Sequence, residues 1–114
     1  MVETLGRGSN QVYLYYYSAY KLIRLKDGFY DWPCKIGWTR GRAENRVARQ
    51  VKTSSPEKPV LGLVIKCEDG YLLEQALHAI LRLFHKSIKG ATGDEWFLTT
   101  PEEVKNLCKL LRQI

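Results

Sequence analysis

Two short segments with the composition of β-strands constrain this chain more than any other feature. The first, residues 12–17, is made of valine, leucine and four tyrosines, and the second, residues 34–38, follows an Asp27-Gly28 turn signal and Pro33. Alternation along a strand divides the first segment into two faces. One face carries Val12, Leu14 and Tyr16, and the other carries Tyr13, Tyr15 and Tyr17. We predict that the segments pair as antiparallel strands, with residues 19–33 as a lengthened hairpin connection.

The rest of the chain reads as alternating helices and one further strand. Helical spacing predicts helices over 42–52 and 71–85, a strand over 60–66 lies between them, and Trp96-Phe97-Leu98 is a short apolar element. Thr100-Pro101 then resembles the start of a final helix. The expected fold is α+β, with a small central antiparallel three-stranded sheet flanked by helices in the order β-β-α-β-α-α. Residues 1–10 are expected to be a flexible lead-in, and residues 11–114 a single domain.

Composition and charge narrow the function. The chain has 114 residues, of which 45% are hydrophobic and 26% charged, as in ordinary globular proteins. A net charge of +6 favours a polyanionic partner such as nucleic acid. Three widely spaced cysteines, without a CxxC pair, argue against a disulfide framework or a zinc site and fit a reducing cytoplasm. No segment has the pattern of a secretion signal or a membrane span, so no membrane association is expected.

Four residues on separate predicted elements form a candidate site for phosphodiester chemistry. Tyr13 and Lys35 lie on the two paired strands, Arg46 on the next helix and Glu74 on the longest helix. Each has an ordinary structural reading: a packed strand tyrosine, a solvated lysine, a basic helix face and a helix-supporting carboxylate. A phenol, two cations and one carboxylate are nevertheless the groups that hydrolysis of a phosphodiester with one divalent metal requires.

The order and spacing of these residues resemble the GIY-YIG endonucleases, in particular a small phage-associated branch whose second motif reads Lys-Ile-Gly. Gln11-Val12-Tyr13 stands where the family has Gly-Ile-Tyr, and Lys35-Ile36-Gly37 stands for the second motif. The helix arginine of the family corresponds to Arg46, its metal-binding glutamate to Glu74, and a downstream motif of the branch to Glu95-Trp96-Phe97. The chain departs from the family pattern at Gln11 and at Lys35.

The resemblance implies a role for each of the four residues. Tyr13 is expected to position the attacking water or accept its proton, which requires neighbouring cations because a free phenol has a pKa of about 10. Lys35 is expected to project beside Tyr13, where it lowers that pKa or contacts phosphate. Arg46 binds the phosphate and offsets charge in the transition state. Glu74 holds Mg²⁺ or Mn²⁺, the implied cofactor.

Six further residues complete the predicted site. Four are expected to contact substrate, of which His78 could alternatively orient Glu74 or pack its helix. Two are expected to be structural: a glycine that permits close backbone approach and a tryptophan of the core. The predicted substrate contacts are Thr39, Arg42, Arg49 and His78, and the predicted structural residues are Gly37 and Trp96.

The leading hypothesis is therefore a metal-dependent DNA endonuclease of a phage-infected or prophage-bearing bacterium. The alternative is a nucleic-acid-binding module that keeps the fold and has lost catalysis through its changes at Gln11 and Lys35. A protein-interaction domain that uses the aromatic strand and the final helix is a third, weaker hypothesis. Because a domain of this size has no separate recognition module, specificity is expected to come from a homodimer or from a partner protein.

Overall fold

The computed structural model describes residues 2–50, 57–90 and 93–114, and these form a single mixed sheet with helices on both faces. The strands are β1 (Glu3–Gly6), β2 (Asn10–Tyr16), β3 (Trp32–Thr39), β4 (Val60–Cys67), β5 (Ser87–Lys89) and β6 (Glu95–Thr99). The helices are α1 (Ser18–Lys26), α2 (Ala43–Gln50), α3 (Gly70–Leu83) and α4 (Pro101–Leu110).

The sheet has six strands in the order β1-β4-β2-β3-β6-β5, with β1 parallel to β4 and the other neighbours antiparallel. The α+β class is confirmed, and the three predicted strands are the adjacent central strands β4, β2 and β3. The prediction of three strands in the order β-β-α-β-α-α was wrong. Strands β1, β5 and β6 have only three to five residues each, too few for a period of two to stand out.

The segment expected to be a lead-in contains β1, which pairs with β4 through Thr4 opposite Val64 and Leu5 opposite Ile65. Its glycine content has a structural reason. Gly6 has a φ of +79°, and a Cβ there would overlap the carbonyl oxygen of Lys66. Glycine therefore lets this edge strand turn close to its neighbour. The glycine content that suggested a frayed segment therefore reflects a tight turn of the chain beside β4.

Helix α1 replaces the hairpin connection that was expected between the first two strands. Residues 18–26 combine Ala, Leu, Lys and Arg, which are strong helix formers, and this preference outweighs the β-branched Ile23. The Asp27-Gly28 signal does end the element, because Gly28 has a φ of +89° just after the helix.

The two faces of β2 bury different residues, as the alternation predicted. One face joins α3 and α4 in the larger core, and the other joins α2 in a smaller one. The larger core contains, from β2, Val12, Leu14 and Tyr16. The smaller core contains Tyr13, Tyr15, Ala43, Val47 and Val64.

The helices after β3 lie close to their predicted positions. Helix α2 is described over Ala43–Gln50, and the expected last turn and its Pro56 stop lie outside the described residues. Helix α3 buries Leu73 and Leu77 as predicted, and Leu81 in place of the exposed Phe84. Helix α4 begins as expected, with the Thr100 hydroxyl accepting a bond from the Glu103 N–H at 3.0 Å.

Candidate functional site

Tyr13 is the centre of the candidate site, and it lies directly opposite Gly37 in the β2–β3 ladder. Its side chain is fully buried and lies over that glycine. A Cβ on Gly37 would fall 2.6 Å from Cζ of the tyrosine ring, well inside van der Waals contact. The absence of a side chain at Gly37 is therefore what gives the phenol its place on the sheet.

Helix α2 places a cation and an amide at the Tyr13 hydroxyl. Arg46 and Gln50 are one helical turn apart, and both side chains lie close enough to that hydroxyl to lower the pKa of Tyr13. The start of the helix is held by β2 itself, because Oε1 of Gln11 accepts a hydrogen bond from the Ala43 N–H at 2.9 Å. Gln11, which departs from the glycine of the GIY-YIG pattern that the sequence resembles, thus has a structural use.

The pKa of Tyr13 is raised above its ordinary value, chiefly because burial disfavours the phenolate. The hydrogen bonds and positive charge of Arg46, together with the Gln50 hydrogen bond, oppose that effect. The negative charge of Glu74 raises the pKa further, so this carboxylate acts electrostatically on the phenol. We call Tyr13, Gly37, Arg46, Gln50 and Glu74 the Tyr13 site.

Lys35 does not lie beside Tyr13, contrary to the expectation. It pairs with Tyr15 across the ladder, one place further along the same face. Its Nζ lies 3.6 Å from Oδ2 of Asp94 and 5.8 Å from the centre of the Trp96 ring. The cation that lowers the pKa of Tyr13 is Arg46 and not Lys35. Lys35 and Gly37 are successive residues on the same face of β3, and such residues are almost 7 Å apart. This distance explains why Lys35 does not lie beside Tyr13.

Glu74, His78 and Arg82 form a ridge on α3, but each has a different contact. Oε1 of the half-buried Glu74 accepts a hydrogen bond from Gln75 at 3.0 Å. His78 Nε2 lies 3.0 Å from the carbonyl oxygen of Ile36, and its ring lies 4.9 Å from that of Phe97. His78 therefore contacts the backbone of β3 at Ile36. This position lies past Cys34, the last of the three β3 residues that pair with β6.

The last residue of the ridge, Arg82, is joined to Glu95 of β6. Its Nε donates to Oε2 of Glu95 at 2.9 Å, and the Ser87 hydroxyl donates to the same carboxylate. The Arg82 hydrogen bond is the main cause that lowers the pKa of Glu95 to about 2. This ion pair connects α3 to the outer strands rather than to the Tyr13 site.

The other predicted residues lie on or next to β3, α2 and β6. Thr39 Oγ1 accepts a hydrogen bond from the Gly41 N–H at 3.1 Å, which shapes the turn into α2. Arg42 and Arg49 are exposed on the α2 side, and Nε of Arg42 lies 3.6 Å from Oε2 of Glu44. Trp96 is half-buried and packs edge-to-face on Tyr15 at 5.7 Å, in keeping with its predicted core role.

Sequence reasoning missed Gln11 and Gln50. Gln50 follows Arg46 at the i+4 spacing, which places both side chains on the same ridge and was a usable signal. Gln11 offered no such signal, because its partner lies 32 residues away.

The residues present fit one divalent metal bound through Glu74. Among residues 2–50, 57–90 and 93–114, no group of three or more His, Cys, Asp and Glu side chains could hold a metal ion. A single carboxylate is compatible with Mg²⁺, which keeps several waters and takes other ligands from substrate phosphates. Glu74 is half-buried and acts electrostatically on Tyr13, so it is the one acidic group of the Tyr13 site.

The Tyr13 site thus combines a buried phenol, a guanidinium and a carboxylate in one small α+β domain. The T5orf172 domain matches residues 12–112, which is nearly the whole chain. The chain therefore belongs to the T5orf172 domain family, a phage-associated domain of nuclease-like, DNA-binding character. No curated protein and no solved structure matches it. None of the helices in the described ranges has the length and apolar composition to cross a membrane.

Proposed function

We propose that this T5orf172 domain is a GIY-YIG-type endonuclease that hydrolyses DNA phosphodiester bonds with Mg²⁺ or Mn²⁺. The observation that supports this most directly is the convergence of Arg46, Gln50 and the charge of Glu74 on the hydroxyl of Tyr13. These groups come from β2, α2 and α3, so they meet only in the folded chain. The net charge of +6 suits a phosphate backbone, and the buried free thiols suit an intracellular setting.

In the proposed reaction, water attacks phosphorus while its proton passes to the oxygen of Tyr13. Because the pKa of Tyr13 is raised, the phenol is protonated at neutral pH and must first lose its own proton to solvent to serve as a base. Arg46 and Gln50 stabilise the resulting phenolate, since their hydrogen bonds favour the charged oxygen. The bond between phosphorus and the 3′ oxygen then breaks, and the 3′ oxygen takes a proton from solvent.

Arg46 has a second task that its exposure allows. Its guanidinium offers five N–H donors in a planar fork, and Tyr13 occupies only part of them. Because Arg46 is exposed, its guanidinium is accessible to two phosphate oxygens. Charge that grows on those oxygens in the transition state is then offset by the same group that stabilises the phenolate.

Glu74 is proposed to hold the metal at the edge of the Tyr13 site. When bound, the metal would polarise the phosphate and offset charge on the leaving oxygen. The carboxylate is kept in place by the Gln75 side chain and by the packing of Leu73 and Leu77 on the sheet. Lys35 is proposed as a phosphate contact one ladder position away, in exchange for its contact with Asp94.

The mechanism is tested by cleavage of supercoiled plasmid and of labelled single-stranded, duplex and branched DNA, with Mg²⁺, Mn²⁺ or EDTA. Arg46→Ala and Glu74→Ala are expected to lower the rate at saturating DNA by about 10²- to 10³-fold. Arg49→Ala is the matched control on the same helix, and we expect it to weaken binding and leave the saturated rate unchanged. An inert wild type with both metals, or full activity in Glu74→Ala, refutes the mechanism.

The proton-transfer role of Tyr13 has its own test. Because the pKa of Tyr13 is raised, the single-turnover rate should still increase with pH above pH 10, where a phenol of ordinary pKa would level off. Tyr13→Phe should abolish that increase and keep the stability of the fold. A pH profile that is identical in Tyr13→Phe excludes the phenol as base.

One observation favours the non-catalytic alternative. Lys35 lies beside Tyr15, so the groups that oppose the effect of burial on the pKa of Tyr13 are Arg46 and the uncharged Gln50. A binding module predicts salt-sensitive association with DNA that EDTA does not change, and no scission. The same assay distinguishes the two functions.

A further inference from the structure

Helix α1 turns apolar residues outward and two of its three cations inward, while Lys26 is exposed. The nine residues of this helix, all of which the structure describes, include no buried residue. Leu22 is 65% exposed and Ile23 is 56% exposed, whereas Lys21 and Arg24 are half-buried. A surface helix of a monomer has the opposite arrangement.

The inward cations are held by specific contacts. Nζ of Lys21 lies 4.7 Å from the centre of the Trp32 ring. The guanidinium of Arg24 lies 3.9 Å from the centre of the Phe29 ring and 2.6 Å from Oδ1 of Asp31. These cation–π and ionic contacts fix the rotation of the helix about its axis. The outward apolar face is therefore a consequence of defined packing.

The exposed apolar surface continues past the end of the helix. We call the α1 face the set of exposed apolar side chains on α1 and on the turn that follows it. Its members are Tyr20, Leu22, Ile23, Leu25, Phe29 and Tyr30. Taking a fully exposed aromatic side chain at roughly 150–250 Å², and the aliphatic ones at somewhat less, the six residues expose roughly 700 Å². The largest apolar patch of a typical monomer is about 300–600 Å².

We propose that the α1 face is the interface through which two copies of this chain form a dimer. Its area is close to the roughly 800 Å² per partner that a standard stable interface buries. Nucleic acid is a poor occupant, because Lys21 and Arg24 are engaged by Trp32 and Asp31, and the exposed Lys26 is followed by Asp27. A membrane surface is also a poor occupant, because membrane-surface helices carry their cations on the outer polar face.

The ends of α1 favour an antiparallel pairing with a second copy. The N-cap residue Tyr17 makes no side-chain cap, and the first turn holds no acidic residue. The N–H of Ala19 binds Glu57, but the positive end of the helix dipole otherwise lacks an acidic group of its own element. A nine-residue helix is about 13 Å long, so antiparallel pairing brings Asp27 of the second copy to that end.

Sedimentation velocity and light scattering of the purified chain, without DNA or metal, test the dimer independently of any nuclease activity. The wild type is expected at twice the 13.2 kDa of one chain over about 10–200 µM. The double substitution Leu22→Lys and Ile23→Lys should weaken the dimer at least about 100-fold, because it places charge at the interface centre. Leu83→Lys on α3, where the leucine is 75% exposed, is the matched control and should stay dimeric.

A second experiment, disulfide cross-linking, tests for the presence of the interface and not only for the loss of the dimer. Ile23 lies near the middle of α1, close to the expected two-fold axis, so Ile23→Cys should form a disulfide between copies under mild oxidation, and Leu83→Cys should not. The three native cysteines are buried and do not interfere. A monomeric wild type at 200 µM, a dimer unaffected by the double substitution, or equal cross-linking of both cysteine variants overturns the proposal. A dimer without nuclease activity supports the interface and refutes only the proposed function.

Discussion

Replacing Gly37 by alanine is expected to destabilise the fold through the contact of the new Cβ with Tyr13. The new Cβ would lie 2.6 Å from Cζ of the Tyr13 ring, while comfortable carbon–carbon contact begins near 3.5 Å. The ring must therefore move by roughly 1 Å. It is fully buried between the sheet and α2, so this movement forces strain into its neighbours.

The magnitude follows from two opposing contributions. Overpacking of this kind costs about 1–3 kcal/mol, and glycine to alanine in a strand interior gains roughly 0.5–1 kcal/mol where there is space. Gly37→Ala should then lower the free energy of unfolding by about 1–2 kcal/mol in the wild-type background. In a Tyr13→Ala background the ring is gone, and the same change should be neutral or stabilising by about 0.5 kcal/mol. The expected coupling free energy is about 2 kcal/mol.

Urea denaturation followed by tryptophan fluorescence measures all four members of this cycle. Gly62→Ala is a matched control, because its Cβ would lie 2.9 Å from Pro101 and 3.0 Å from Tyr16, away from Tyr13. Its cost should be the same in both backgrounds. Equal destabilisation by Gly37→Ala with and without the tyrosine ring would refute the reasoning. If the Tyr13 site is catalytic, a 1 Å displacement of the phenol should also lower the cleavage rate by about 10²-fold.

Three other predictions concern stability and thiol reactivity. Because the pKa of Glu95 is lowered to about 2, its ion pair with Arg82 stabilises the fold above pH 4.5, and this stabilisation is lost as the pH falls towards 2. In Arg82→Ala the free energy of unfolding should depend less on pH over that interval, as measured by circular dichroism in acid titrations. Thr100→Ala should lower the free energy of unfolding by about 1 kcal/mol in urea, through loss of the α4 cap, and Thr100→Ser should restore it. Burial raises the pKa of the Cys34 thiol and raises that of Cys108 to about 11. A thiol-specific disulfide reagent at pH 8 should therefore label the native protein only as fast as the protein unfolds. Rapid labelling in native buffer would contradict the burial of these thiols.

Elements with long, regular patterns were predictable from the sequence. The alternating faces of β2, the buried leucines of α3 and the Thr100 cap all depend on residues close together in the chain. Helix α1 was misread because its apolar residues face outward, which removes the usual link between helical periodicity and burial. The edge strands were missed because they gain their stability from pairing with β4 and β6, not from their own composition.

By itself the sequence determined which segments form the central strands and three of the four helices, and that tyrosine, arginine and glutamate lie at spacings compatible with one site. The tertiary structure decided which of these groups meet. Strand register sets Gly37, and not Lys35, beneath Tyr13, and the Gln11 bond to α2 directs Arg46 and Gln50 to the phenol. Register and helix docking depend on contacts between residues 20–60 positions apart, and a local pattern of residue types carries no information about such contacts.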